Sequence, residues 1–233
     1  MKRRPSQIIA LGGGGLGKDE HARALDAYVL AQAGKANPSV CFLPTATGDD
    51  DAYIARFYGS CAGLACRPTH ISLFQRTPNL RQVLSQQDVI YVGGGNTKSM
   101  LAVWRDWRLP ALLREAWRSG VVLAGVSAGA ICWFDVGVTD SWADRLAPLK
   151  CLGLLPDTCC PHYDGEPERR PALHAMLVRG DVPRAIALDD SVAAHFIGRR
   201  LHRVVSPRRD GFAYRVALRA RHVVESRLAI TRL

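Results

Sequence analysis

Three glycine-rich turns and one polar histidine loop hold the residues of this sequence that could do chemistry. The sharpest is Val121-Val-Leu-Ala-Gly-Val-Ser-Ala-Gly-Ala130, where Ser127 stands at the centre of Gly125-Val-Ser-Ala-Gly129 between two apolar runs. Gly-x-Ser-x-Gly at a strand–turn–helix junction has the form of a nucleophile elbow. Small neighbours tolerate the strained turn and leave the hydroxyl accessible. The Ala128 N–H and the dipole of the following helix would then stabilise negative charge. That arrangement suits attack by a serine hydroxyl on a carbonyl carbon. The plainer alternative is a structural turn built from common small residues.

The second turn is Tyr91-Val-Gly-Gly-Gly-Asn-Thr-Lys98. Three consecutive glycines leave backbone N–H groups uncovered, as an oxyanion hole requires, whereas an ordinary turn needs only one or two. The third is Leu11-Gly-Gly-Gly-Gly-Leu-Gly-Lys18, which fits the phosphate-loop spacing through Gly12, Gly17 and Lys18. Asp19 stands where that loop needs a hydroxyl for magnesium, and Glu20 follows. Two carboxylates oppose a phosphate, so this segment reads better as a tight strand-to-helix turn lining a pocket.

A serine nucleophile needs a base, and the base needs an orienting group. Of seven histidines, His162 lies in the polar, turn-rich stretch Cys160-Pro-His-Tyr-Asp-Gly-Glu166. His195 alternates with apolar residues in a strand-like segment, and His202 and His222 belong to the basic tail. Three carboxylates compete for the third role. Asp189 and Asp190 follow a buried strand, and Asp140 follows the elbow helix.

These turns must be positioned by a scaffold, and the hydrophobic pattern predicts it. Apolar runs fit buried strands at Gln7–Leu11, Val40–Leu43, His70–Leu73, Asp88–Val92, Val121–Val126 and Ala185–Leu188. Helical patterns fall near 18–33, 50–65, 78–86, 97–106, 109–118 and 167–179, with Thr77-Pro78 as a cap and first position. Alternating strand and helix argues for an α/β, doubly wound, mostly parallel sheet over residues 1–233 as one domain. Ligands bind such sheets at the carboxyl ends of the strands, where all three glycine turns lie. Two alternating strands flank Pro207-Arg-Arg-Asp-Gly211, which reads as a C-terminal β-hairpin closing one edge.

Composition narrows the setting. The chain of 233 residues is 48% hydrophobic and 22% charged, as in an ordinary globular protein. Too few apolar residues follow Met1-Lys-Arg-Arg-Pro for a signal peptide, and no stretch approaches a bilayer span, so a cytoplasmic location is expected. The seven cysteines form no C-x-x-C pair and no metal-ligand spacing, so reduced structural thiols and no metal are expected. Net charge is +10, and the segment from Arg199 holds ten arginines against Asp210 and Glu225. Those arginines alternate with apolar residues, like the solvated face of strands. No motif for specific nucleic-acid recognition is present.

Together these residues resemble the peptidase E (aspartyl dipeptidase) and cyanophycinase family of serine peptidases. The resemblance rests on Val92-Gly-Gly-Gly-Asn-Thr97, Gly125-Val-Ser-Ala-Gly-Ala130 and Pro161-His-Tyr163, in that order, and spans the chain from Leu11 past Asp190. It implies a fold like that of class I glutamine amidotransferases and hydrolysis of short peptides or acidic polymers without a cofactor. By position, Ser127 would be the nucleophile and His162 the base, with the Gly95 and Ala128 N–H groups as the oxyanion hole. The acid falls differently in the two branches. Asp140 resembles the peptidase E aspartate at a shorter spacing, and Asp190 stands where cyanophycinase has a glutamate; Asp190 is preferred. The stretch Ala130–Phe134 and the loop after His162 depart from aspartyl dipeptidases.

The expected function is a serine peptidase on short peptides, acidic ones included, with no membrane partner and room for a homo-oligomer. The alternative is a non-enzymatic nucleotide or nucleic-acid binding module using Gly12–Lys18 and the arginine-rich tail. An enzyme of the same fold acting on another amide or ester is a third reading.

Overall fold

Unbroken apolar runs build the central strands, and amphipathic helices return the chain between them. The computed structural model describes residues 4–17 and 19–233. Its first half runs β1 (Gln7–Leu11), α1 (Glu20–Ala31), β2 (Ser39–Leu43), α2 (Asp51–Cys61), β3 (Arg67–His70), α3 (Leu80–Ser85), β4 (Val89–Val92), α4 (Thr97–Asp106), α5 (Leu109–Ser119), β5 (Val122–Val126) and α6 (Ala128–Ile131). Then follow β6 (Phe134–Trp142), β7 (Arg145–Lys150), β8 (Leu155–Cys160), α7 (Arg169–Arg179) and β9 (Arg184–Leu188). The chain closes with β10 (Ala193–Ile197), β11 (Arg200–Ser206), β12 (Ala213–Arg219), β13 (His222–Arg227) and β14 (Ile230–Arg232).

These strands form a mixed α/β fold of two sheets. The first has eight strands in the order β14-β11-β10-β1-β5-β4-β2-β3. From β1 to β3 the pairs are parallel, while β10 runs antiparallel to β1 and to β11. Helices cover both faces, which is why these strands are apolar throughout rather than alternating. Leu25, Val29, Phe57 and Cys61 of α1 and α2 pack on Ile9, Leu11, Phe42 and Tyr91. Leu84, Met100, Trp104, Leu113 and Trp117 of α3 to α5 pack on Ile8, Leu43, Ile90 and Leu123.

The second sheet has six strands in the order β13-β12-β9-β8-β6-β7, with β6, β8 and β9 parallel. Phe134, Leu155, Cys159, Ile186 and Leu188 join the core of the first sheet. Its other face is covered by α7, through Leu173, Met176 and Leu177.

Several expectations need correction. A single sheet was expected and two are found, because the sequence from Phe134 to Cys160 carries three strands that its pattern conceals. No hairpin turns at Pro207–Gly211. There β11 leaves the first sheet and β12 enters the second, so the segment is a crossover between sheets. Antiparallel hairpins lie on either side of it, β10–β11 and β12–β13. The strand expected at His70–Leu73 lies earlier, since β2 pairs with Arg67 through His70. Helix α3 is capped by Asn79, whose side chain accepts the Gln82 N–H at 3.2 Å. Thr77 donates its hydroxyl to the carbonyls of Ser72 and Gln75 instead of capping.

Buried polar groups are mostly accounted for locally. His195 is wedged between the Tyr28 hydroxyl (2.8 Å) and Gln7 Oε1 (2.9 Å), and burial lowers its pKa to about 4. It is a neutral core histidine. The cysteines are free, and burial pushes the Cys160 thiol up to about 12. Among the described residues, no helix is long and apolar enough to cross a membrane.

Candidate active site

Strands β1, β5 and β4 end side by side, with Leu11 opposite Val126 and Val92 opposite Gly125. Ser127 is the residue on which the chain turns from β5 into α6. Its φ of 56° and ψ of −112° lie outside the regions that side chains ordinarily favour. The turn is held by close backbone packing: a Cβ on Gly125 would lie 2.3 Å from Gly129 O, and one on Gly129 would lie 2.2 Å from Val92 O. The Ser127 N–H donates to Leu11 O at 3.1 Å. No group among the described residues hydrogen-bonds its hydroxyl. Helix α6 has only four residues, so the dipole expected there is small, and the Ala128 N–H itself is the available donor.

His162 arrives from the second sheet. It follows β8, has φ 51°, and donates its N–H to Gly12 O at 3.2 Å. Because β8 and β9 are parallel neighbours, the loops after them lie together. Asp190, in the loop after β9, meets His162 there: Nδ1 and Oδ1 are 2.6 Å apart. The hydrogen bond from His162, helped by the Arg208 guanidinium, holds the Asp190 carboxyl below its ordinary range despite desolvation. With Asp190 ionised, the proton of the neutral imidazole sits on Nδ1 and Nε2 is left as the acceptor.

The other carboxylates lie elsewhere. Asp140, on β6, is exposed and 3.7 Å from the Arg169 guanidinium. Asp189 points into the protein, where Oδ2 accepts the Phe212 N–H at 2.9 Å. Burial pushes its carboxyl up to about 6, and Oδ1 has no partner among the described residues.

The triple-glycine turn after β4 lies against the serine. A Cβ on Gly94 would be 3.3 Å from Ser127 Cβ and 3.8 Å from its Oγ. The Gly94 N–H is taken by the Tyr53 hydroxyl at 3.0 Å. Gly95 has φ 133°, where a side chain would also meet Ala46 O at 2.4 Å. Neither its N–H nor that of Ala128 has an acceptor among the described residues. Asn96 ends the turn by capping α4 through the Ser99 N–H at 2.9 Å.

The first glycine turn serves as a brace. Gly12 N–H bonds Val192 O, Gly12 O accepts from His162, and Gly13 O accepts the Ser191 N–H at 3.0 Å. A Cβ on Gly13 would fall 1.8 Å from Asp190 Oδ1 and 2.8 Å from His162 Nδ1. Asp19 caps α1 through the Ala22 N–H, and Lys18 lies outside the described residues. Beneath the turn, the buried Asp26 carboxylate accepts the Leu16 N–H and the Tyr91 hydroxyl, each within 3.2 Å. Desolvation nonetheless raises it to about 7.

Two residues at this site were missed in the sequence. Asp164 Oδ1 accepts the Asp190 N–H at 2.8 Å, and Arg208 Nη1 donates to Asp190 O at 3.0 Å. Arg208 and Asp164 also pair at 2.9 Å, so the backbone of Asp190 is clamped from both sides. The Arg232 guanidinium on β14 in turn donates to the carbonyls of Arg208, Arg209 and Gly211. The only sequence signal was two polar, glycine-containing loops, Asp164-Gly165 and Pro207–Gly211.

Comparison with known proteins gives a consistent picture. The sequence model of peptidase family S51 matches residues 8–204. A Bacillus subtilis protein called uncharacterized peptidase YgaJ is 48% identical over 225 residues, covering 96% of this chain and 97% of that protein. Peptidase E of Streptomyces coelicolor is 31% identical over 160 residues, and the match spans 64% of each chain. Among solved structures, a peptidase from an acI-B1 actinobacterium superimposes with a TM-score of 0.72 at 15% identity, covering 98% of this chain and 96% of that one. A candidate peptidase E protein from Listeria monocytogenes EGD-e gives 0.63 at 17% identity, over 97% and 100%. At such identities the structural likeness speaks for the fold alone.

Proposed function

This chain belongs to peptidase family S51, and we propose that it is a serine peptidase in which Ser127, His162 and Asp190 form the catalytic triad. The reading is carried by one observation: the His162–Asp190 pair packs on the glycine turn after β1, whose preceding residue, Leu11, takes the N–H of a serine held at φ 56°. His162 Nε2 takes the hydroxyl proton as Ser127 Oγ attacks the scissile carbonyl carbon. Asp190 keeps the Nδ1 proton and stabilises the imidazolium. The Gly95 and Ala128 N–H groups receive the oxyanion. His162 then returns its proton to the leaving amine, the acyl-enzyme remains on Ser127, and water releases it by the same steps in reverse. The Ser127–His162 hydrogen bond, absent among the described residues, is proposed to form in the substrate complex, since catalytic hydrogen bonds often tighten only there.

Short peptides are the proposed substrates, with acidic ones drawn in by the net charge of +10. Such steering weakens with salt. A dipeptide-library screen of the purified protein, with Ser127→Ala as the control, tests the proposal. Hydrolysis and labelling by a fluorophosphonate should both vanish in the variant while its circular dichroism is unchanged. Hydrolysis at the wild-type rate by pure Ser127→Ala would overturn it.

A further inference from the structure

The arginine-rich tail reads in the sequence as a solvated strand face, yet part of it converges on a cleft. Between the two sheets lies a cavity of about 410 Å³, within the range of small-molecule sites. Its rim carries Arg184 from the start of β9, Arg199 and Arg200 from the β10–β11 turn, and Arg215 and Arg219 from β12. Among the described residues lining the cleft the one carboxylate is Asp157, which already pairs with Arg184 at 2.8 Å. The other four guanidinium groups have no carboxylate partner among the described residues. Arginine cannot shed its proton to relieve their mutual repulsion.

The cleft is separate from the peptidase site. In the first sheet, Leu11 and Ala193 pair at the end where Ser127 lies, whereas Gln7 and Ile197 pair at the end where the β10–β11 turn lies. Along β9, Arg184 stands at the start and Leu188 at the end that leads to Asp190, four residues or about 13 Å away at ~3.3 Å per residue. The floor is apolar: Phe134 and Phe196 meet edge to face at 5.6 Å, beside Ile186 and Leu201. Charges over such a floor are screened less than charges in open water.

We propose that this cleft is a binding site for an oligophosphate group, the chemistry shared by inorganic polyphosphates and nucleoside triphosphates. Guanidinium forks take phosphate oxygens two at a time, and a phosphate chain presents successive oxygens along its length to arginines from three elements. A single phosphate would engage only part of the rim. The inference does not depend on Ser127 or on peptide hydrolysis.

Calorimetric titration of the intact protein with inorganic triphosphate at low ionic strength tests it. One site per chain is expected, with affinity falling steeply as salt is added. The double variants Arg199→Ala/Arg200→Ala and Arg215→Ala/Arg219→Ala should each weaken binding by about tenfold or more, since they remove charge-assisted hydrogen bonds. All four residues are exposed, so peptide hydrolysis and folding should be unchanged. Ser127→Ala should bind triphosphate like the wild type. ATP in place of triphosphate separates the two sources: tighter binding assigns a nucleotide, equal binding a bare phosphate chain, and both support the site. Unchanged affinity in both double variants would overturn the proposal. So would triglutamate binding as tightly as triphosphate, or loss of binding on Lys18→Ala alone.

Discussion

Asp190 occupies the space that a side chain at Gly13 would need. A Cβ there would lie 1.8 Å from Asp190 Oδ1, too close for any adjustment short of moving the carboxylate off His162. Gly13→Ala should therefore lower kcat/KM on the order of 10²-fold, the scale of an ångström-sized misplacement at a catalytic group. The protein should still fold, with overpacking costing about 1–3 kcal/mol. Steady-state kinetics beside a urea melt would check both parts. Wild-type kinetics in this variant would mean that the His162–Asp190 pair is not needed.

The acid can be assigned by two conservative changes. Asp190→Asn should lower kcat on the order of 10³–10⁴-fold with little change in KM, because the imidazole loses both its tautomer and its counter-charge. Asp140→Asn should stay near wild type, since that carboxylate is exposed and its contact with Arg169 is 3.7 Å. The reverse ranking of the two variants would move the triad to β6.

Arg208 and Asp164 act on Asp190 through its backbone. Arg208→Ala and Asp164→Ala should each reduce kcat by about tenfold while leaving KM nearly unchanged, and the double variant should fall well short of the product of the two. Arg208→Lys should rescue poorly, because one guanidinium serves both a carbonyl and a carboxylate. Additive losses, or losses confined to KM, would remove both residues from the positioning role.

Asp26 gives a prediction about stability. Its folded pKa of about 7 is above the ordinary value of 3.8, so the folded state binds a proton that the unfolded state lacks between these values. Stability from this group therefore rises as pH falls through 7, and above that the buried charge is a burden. Asp26→Asn should be more stable than wild type at pH 8 by roughly 2–4 kcal/mol, with the advantage shrinking toward pH 4. Denaturant titrations at pH 8 and pH 5 would show it. An equal difference at both pH values would mean that Asp26 does not titrate there.

What could be read from the sequence follows the range of the interactions. Strands β1, β2, β4, β5 and β9 were legible because sheets covered on both faces need unbroken apolar runs. The serine turn was legible because its packing admits only glycine at positions 125 and 129. Strands β6 and β8 were hidden, since Asp135, Asp140, Pro156 and Asp157 interrupt their apolar pattern. Alternation marked β11 and β12 as strands but not their partners, and so the crossover between them passed for a hairpin. Asp164 and Arg208 reach Asp190 from 26 and 18 residues away, and no local pattern encodes such a contact.

The bonds from Arg232 to the loop that carries Arg208 tie the chemistry to the shortest of the described strands. Strand β14 has three residues, largely exposed, and holds the first sheet only through β11. Short exposed edges open before cores do. Warming should therefore release β14, slacken the clamp on Asp190 and silence the enzyme while both sheets are still intact. Heat inactivation would precede melting and reverse on cooling, leaving a band of temperature in which the protein is folded but idle.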